Sequence, residues 1–294
     1  MNNLKFLTDT ADEIEKAIDK YLPVQENYQK TIYEAMRYSV LGGGKRLRGV
    51  LTEACCLLAG GSAKEAMPLA AAIEMVHAYS LVHDDLPQMD NDDMRRGKPT
   101  NHLVYGEAMA ILAGDGLLGY SFETVFKNTA PENIEKAWRA LGILARALGP
   151  SGMLGGQVVD MESENKRIDY DKLVYLQKHK TGALIEAACL MGAVMGGAEE
   201  DLMQRLSRYA EKIGLAFQIK DDILDVAGDE KLLGKPIGSD SESNKSTFVT
   251  ECGIENAQKL VEQLSAEAQA EVCGINEYGD FLIWLAQYLE IRKS

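Results

Sequence analysis

Residues Ala70–Val82 read AAAIEMVHAYSLV and run directly into His83–Asp93, HDDLPQMDNDD. Small and apolar side chains fill the first part without the two-residue alternation of a half-buried strand, which predicts a closely packed helix. Alanines at such spacing let neighbouring helix axes approach closely. The second part then places five aspartates where that packed helix should continue. The same conflict returns in Phe217–Asp225, FQIKDDILD, which prolongs an apolar stripe through Leu202, Leu206, Tyr209, Ile213 and Phe217. Three- and four-residue apolar spacing recurs along nearly the whole chain. Prolines fall mostly near expected helix ends, as at Pro23, Pro99, Pro131, Pro150 and Pro236. The expected fold is all-α, a single large bundle of ten or more mostly antiparallel helices, with residues 1–294 forming one domain.

Composition narrows the function. The 294 residues are 46% hydrophobic and 26% charged, ordinary values for a globular chain, and no linker or low-complexity tract divides them. Acidic residues outnumber basic ones 45 to 31, a net charge of −14. That balance argues against nucleic acid, whose phosphates need basic patches. The first residues, Met1–Leu22, become amphipathic without the apolar core of a signal peptide or anchor. No apolar run is long enough to span a bilayer, so integral membrane association is not expected. The five cysteines form no Cys-x-x-Cys pair, and an odd count suggests reduced thiols and a cytoplasmic location.

Placed on helices, the acids point inward. Residues four apart nearly eclipse, so Asp221 and Asp225 share the face that continues Ile213 and Phe217. His77, Ser80 and Asp84 share another face, since seven residues return to within about 20°. Asp90 is brought back only if the helix distorts or ends near Pro87. Asp85, Asp92 and Asp93 are outer or solvent-facing candidates. Bare buried carboxylates are costly unless paired or bound to a cation. Paired carboxylates without His or Cys at ligand spacing select a hard, oxygen-loving ion; Mg2+ fits, and it commonly shares its shell with phosphate. A phosphate-bearing substrate follows, and basic residues stand ready: Lys45 and Arg48 in GGGKRLRG, and Arg95–Arg96 after the acid cluster.

These residues resemble a known family. Asp84-Asp85-Leu-Pro-Gln-Met-Asp90 and Asp221-Asp222-Ile-Leu-Asp225 stand with GGGKRLR, HAYSLVHDDLP, MRRGKPTNH, GGQVVDM, HKTGALI and GLAFQIKDDILD in the order found in trans-prenyltransferases, the isoprenyl diphosphate synthases. The nearest likeness is to bacterial farnesyl diphosphate synthases, and it covers the chain from about Tyr28 onward. The resemblance implies a bundle around a deep central cavity and a homodimer. It implies three magnesium ions ligated by Asp84, Asp90 and Asp221, with Asp85 and Asp225 supporting that shell. It assigns Arg95, Lys180 and Lys235 to the allylic diphosphate, and Lys45, Arg48, His77 and Arg96 to isopentenyl diphosphate. Thr181 and Gln218 are implied to face the reacting carbons, and Lys245 to help close the site.

The implied reaction joins dimethylallyl or geranyl diphosphate head to tail with isopentenyl diphosphate. Ionisation leaves an allylic cation, the alkene attacks it, and the released diphosphate takes the proton, so His83 is expected to pack rather than act as a base. In similar farnesyl synthases an aromatic residue five positions before the first motif closes the cavity floor. Tyr79 holds that place and small Ser80 follows it, so the expected product is farnesyl diphosphate, with geranylgeranyl diphosphate the alternative. Helical geometry alone leaves Tyr79 open, since it sits about 140° round from Asp84. A terpene cyclase or a non-catalytic synthase subunit fits less well, because both acid motifs and the second basic cluster are present.

Overall fold

The computed structural model describes residues 1–227 and 246–292; Lys235 and Lys245 lie outside the described residues. Helices follow one another with short connections: α1 (Asn3–Tyr21), α2 (Lys30–Val40), α3 (Leu47–Leu58), α4 (Ala63–Asp84), α5 (Asn101–Tyr105) and α6 (Glu107–Asn128). After a single 3-10 turn come α7 (Ile134–Leu148), α8 (Met153–Ser163) and α9 (Tyr170–Gln177). A π-helical turn, Lys178–Gly182, leads into α10 (Ala183–Gly196), then α11 (Glu200–Ala227), α12 (Phe248–Cys252), α13 (Ile254–Val272) and α14 (Glu277–Ile291). The all-α expectation holds, with one addition. Met94–Arg95 (β1) and Lys98–Pro99 (β2) pair as a small antiparallel ribbon. Its two turn residues, Arg96 and Gly97, have φ of 53° and 74°, the left-handed pair that a tight hairpin requires.

α4 is the spine of the bundle. Ser62 and Glu65 form a reciprocal capping box at its start, satisfying two backbone donors that the first turn leaves open. From Leu69 to Val76 every residue is buried, in keeping with the close packing expected of the alanine-rich run. Neighbouring α3 and α10 touch backbone to backbone: a Cβ on Gly192 would fall 2.0 Å from the Thr52 carbonyl oxygen, and one on Gly196 would fall 2.3 Å from that of Cys56. No side chain fits there, so those glycines set the distance between the helices that frame the cavity.

Two apolar clusters share α11. Its first half packs Leu206, Tyr209 and Ile213 into the main core. Its second half turns Leu215, Ile219 and Ile223 towards Leu173 and Leu176 of α9, Phe248 of α12 and Val261 of α13. The acid motif Asp221–Asp225 therefore sits in the half of α11 that packs on this second cluster. No described helix is long and apolar enough to cross a membrane.

One carboxylate departs from the usual rule of burial. Glu53 on α3 is 3% exposed, receives the Thr10 hydroxyl at 3.3 Å, and its Oε2 has no hydrogen-bond partner among the described residues. Burial, then the nearby charge of Glu13, pushes its pKa up to about 7. A folded-state pKa raised above the unfolded one contributes stability that is complete below the unfolded value and lost as pH rises through the folded one. Between about pH 5 and pH 8, wild-type protein should therefore lose thermal stability relative to Glu53→Gln, which removes this titration. Scanning calorimetry of both proteins across that range checks it; parallel curves would refute the assignment.

Candidate active site

A cavity of about 460 Å³ opens among α3, α4, α6, α8 and the start of α10. Arg48, His77, Asp84, Lys180 and Thr181 lie in its wall, and Ser80, Leu86, Met153 and Leu184 supply much of the rest. Tyr79, whose direction the helical pattern left open, also lies in this wall; it is 6% exposed and meets the His83 ring edge-on at 5.1 Å. His83 places Nε2 3.1 Å from the Ile111 carbonyl oxygen, so both faces of its role are packing and tethering.

The first acid motif forms as expected from a helix that ends. α4 stops at Asp84, Asp85 caps it, and the Asp90 amide donates to the Asp84 carbonyl at 2.8 Å. The chain thus loops back and sets Asp90 beside Asp84. Burial raises the Asp84 pKa to about 6; Lys180 across the cavity and Arg95 oppose that rise, while Asp90 and Asp85 add to it. Asp85 is turned elsewhere. It is buried and receives Arg95 Nε at 2.6 Å, and Arg95 also reaches Asp92 at 3.2 Å.

The second motif differs from the eclipsed pair drawn from the helical repeat. Asp225 is buried at 2% exposure, but so is Asp222, while the Asp221 side chain is 40% exposed. The reason is tertiary. α12 begins against this turn, and the Phe248 amide donates to Asp222 Oδ2 at 2.8 Å. Asp222 Oδ1 takes Gln218 Nε2 at 3.1 Å, and Gln218 Oε1 takes the Thr181 hydroxyl at 3.2 Å. One line of hydrogen bonds therefore runs from α12 to the π turn. Asp221 instead receives the guanidinium of Arg292, which also donates to the Phe217 carbonyl at 3.1 Å and stacks 4.0 Å above the Phe217 ring.

The π turn presents Lys180 and Thr181 together. A side chain on Gly156 of α8 would come within 2.2 Å of the Lys180 amide nitrogen, so the second glycine of GGQVVDM lets α8 lie against this turn. Lys180 donates to Asp160 at 2.6 Å. π turns of this kind concentrate at functional sites because they shift side chains out of helical register.

Opposite stands a crowd of cations. Arg48 has its Nε enclosed with no hydrogen-bond partner among the described residues, and burial, with Arg96 adding, lowers its pKa. Burial and the charges of Arg48, Arg96, Arg95 and Arg46 hold His77 neutral, well below the usual histidine range. Arg96 donates to the Gly43 carbonyl and lies against Gly44, where a Cβ would collide with its guanidinium at 2.7 Å. That contact brings the ribbon onto the glycine turn ahead of Lys45. The Lys45 side chain is largely exposed; partial burial of its ammonium and nearby Arg292 lower its pKa, and Asp221 raises it.

Among the described residues no three His, Cys, Asp or Glu side chains gather tightly enough to enclose an ion by themselves. The donor set still fits magnesium. It is all oxygen, and Mg2+ characteristically completes its shell with water and phosphate oxygens. Asp160, Asp222 and Arg292 were not singled out from the sequence. Asp160 and Asp222 lie inside quoted motifs, whereas nothing in the pattern marks a terminal arginine.

The polyprenyl synthetase family model matches residues 29–277. A dimethylallyltranstransferase of Fischerella ambigua is 45% identical over 98% of this chain and 83% of its own length. A geranylgeranyl diphosphate synthase of Cyanophora paradoxa is 43% identical over 100% and 97%. The apo crystal structure of an FPP/GFPP synthase from Zymomonas mobilis superimposes with a TM-score of 0.88 at 36% identity, covering 98% of this chain and 99% of that one. The geranylgeranyl name recurs among other curated relatives at 42–44% identity.

Asp222 and Asp221 should separate by experiment. Asp222→Ala strands the Phe248 amide and Gln218, and an unsatisfied buried donor costs about 1–3 kcal/mol. Urea denaturation should register that loss, with Asp222→Asn recovering part of it. Equal stability of Asp222→Ala and wild type would remove the structural role.

Proposed function

The chain belongs to the polyprenyl synthetase family, and from that premise we propose that it lengthens allylic diphosphates by addition of isopentenyl diphosphate. The observation carrying this reading is that one cavity brings Asp84, with Asp90 beside it and Lys180 facing it, together with a basic group of Arg48 and His77, with Arg96 close by. Two separate arrangements for diphosphate, one acidic and metal-requiring and one basic, match a reaction with two diphosphate substrates. A cyclase needs only the first.

In this proposal Asp84, Asp90 and Asp221 hold magnesium, with Asp85 and Asp225 supporting them. The bound metal supplies Lewis-acid neutralisation of the departing diphosphate. Arg95 and Lys180 hold that diphosphate, and Lys235 is kept in the same role. Lys180 leaves Asp160 to do so. Lys45, Arg48, His77 and Arg96 hold isopentenyl diphosphate, with Lys245 closing the site. Crowding among the cations is relieved when the anion arrives, so the residues are placed before the substrate is. Thr181 and Gln218 lie towards the reacting carbons, and the apolar wall keeps water from the allylic cation. The diphosphate released from the allylic substrate accepts the proton, leaving His83 its packing role.

On product length, the names of the curated relatives weigh towards geranylgeranyl diphosphate over the farnesyl diphosphate expected from the motif. One specific observation favours farnesyl diphosphate as the second reading: the bulky, buried Tyr79 in the cavity wall beside Ser80. The homodimer is proposed too, supported by the apolar side chains exposed along α6–α8, among them Leu112, Phe126, Val158 and Trp138, the last 70% exposed. A cytoplasmic location accords with five cysteines that are all free thiols.

Chelation should abolish turnover and magnesium restore it, and Asp84→Ala should lower turnover by orders of magnitude while circular dichroism stays helical. Activity persisting in excess chelator would remove the metal from the reading. Chromatography of products made by wild type from geranyl diphosphate decides between fifteen and twenty carbons. Tyr79→Ala should lengthen the product distribution, and an unchanged distribution in folded, active protein would transfer the stop to another residue.

A further inference from the structure

The glycine turn that carries Lys45 and leads into Arg48 of α3 is held from beneath by a buried charge network. Arg46, between them, has a left-handed φ of 49° and a side chain only 3% exposed. Its neighbours on the turn lead to the basic site, while its own guanidinium runs the other way, into the protein. Nε donates to Glu15 Oε2 on α1 at 2.7 Å. Nη2 donates to the Val40 carbonyl at the end of α2 at 2.6 Å, and Nη1 lies 3.7 Å from Glu74 Oε2 on α4.

Glu74 does a second task. Its Oε1 accepts the Gly49 amide at 2.9 Å, one of the open donors in the first turn of α3, whose N-cap residue, Arg46, gives no side-chain cap. Gly49 permits this approach, since a Cβ there would stand 3.3 Å from Glu74 Cγ and 2.8 Å from Ile14 Cδ1. Glu74 also precedes His77 by three residues on α4, so the carboxylate that fixes the start of α3 is rigidly linked to the imidazole of the basic site.

We propose that Arg46 is a positioning residue for the isopentenyl diphosphate site: clamped by Glu74 and Glu15, it sets Lys45 on the turn and Arg48 at the start of α3 in register with His77. The assignment rests on the reading of that site given above. In this reading Arg46 acts through Lys45 and Arg48 rather than on substrate. It ties three helices to the turn, and its forked guanidinium can serve two carboxylates and a carbonyl at once, which a lysine ammonium on a flexible stem does with less directional hold. Its charge also adds to those that keep His77 neutral.

The test separates positioning from bare stability. Glu74→Gln keeps an acceptor for the Gly49 amide and removes the charge facing Arg46. We expect the KM for isopentenyl diphosphate to rise about tenfold or more, with that for geranyl diphosphate within about twofold. A purely structural role would lower the melting temperature and the active fraction, hence kcat, and leave both KM values in place. Removing one member of a buried pair can unfold a protein, so Glu15→Gln, at the more exposed end of the network, is the second variant. It should raise the same KM about threefold. Arg46→Gln should behave like Glu74→Gln, with Arg46→Lys recovering part of the loss. Calorimetric binding of isopentenyl diphosphate, without turnover, should weaken in parallel. Arg48→Gln is the control. If it raises the KM for isopentenyl diphosphate while folded Glu74→Gln or Glu15→Gln leaves that KM unchanged, the positioning role is overturned. If Arg48→Gln has no effect either, it is the reading of the site that falls, and Arg46 with it.

Discussion

Like charges held close together inside a helical shell are the constraint on which the rest of this molecule depends. Asp84 and Asp90 are folded back onto one another, and Arg48 and Arg96 are gathered around a neutral His77 in another part of the same region. Neither group is comfortable as it stands. Burial lifts the Asp84 pKa and lowers those of His77 and Arg48, which is how desolvation and like-charge crowding register in a protein. A loose scaffold would let such groups spread apart. The close backbone contact of α3 with α10, permitted by Gly192 and Gly196, and the buried length of α4 keep them in place.

The individual cations and acids are also kept apart by partners of opposite sign. Arg95 rests on Asp85, Lys180 on Asp160, and Arg292 on Asp221. Each pairing holds a charged side chain near the position in which the proposed reaction would use it. Side chains already placed lose little freedom when an anion or cation binds, which is the advantage of preorganisation. The π turn contributes in another way: it brings Lys180 and Thr181 to the cavity, whereas the line from Thr181 through Gln218 and Asp222 to Phe248 fixes it to α12.

Much of this was determined by sequence alone. The apolar spacing of Leu202–Phe217 and the alanine-rich run before Asp84 specify helices, because a 3.6-residue repeat can bury its stripe in no other regular form. The ordered motifs specify the family, and they name nearly every charged group that the structure brings to the cavity. The break in α4 was legible too, since Pro87 and the six-residue spacing from Asp84 to Asp90 cannot both belong to a continuing helix.

What the tertiary structure decided is where a side chain points once two elements compete for it. Helical eclipsing paired Asp221 with Asp225, yet the amide of Phe248, distant in sequence, draws Asp222 inward and leaves Asp221 to Arg292. Tyr79 could have faced core or cavity, and only the packing of α4 among its neighbours puts it in the cavity wall. Arg46 looks like its neighbours Lys45 and Arg48 in the motif, but its left-handed backbone turns it into the protein, towards Glu15 and Glu74. A repeat in sequence fixes the angles between residues of one helix; it carries no information about donors and acceptors that arrive from another.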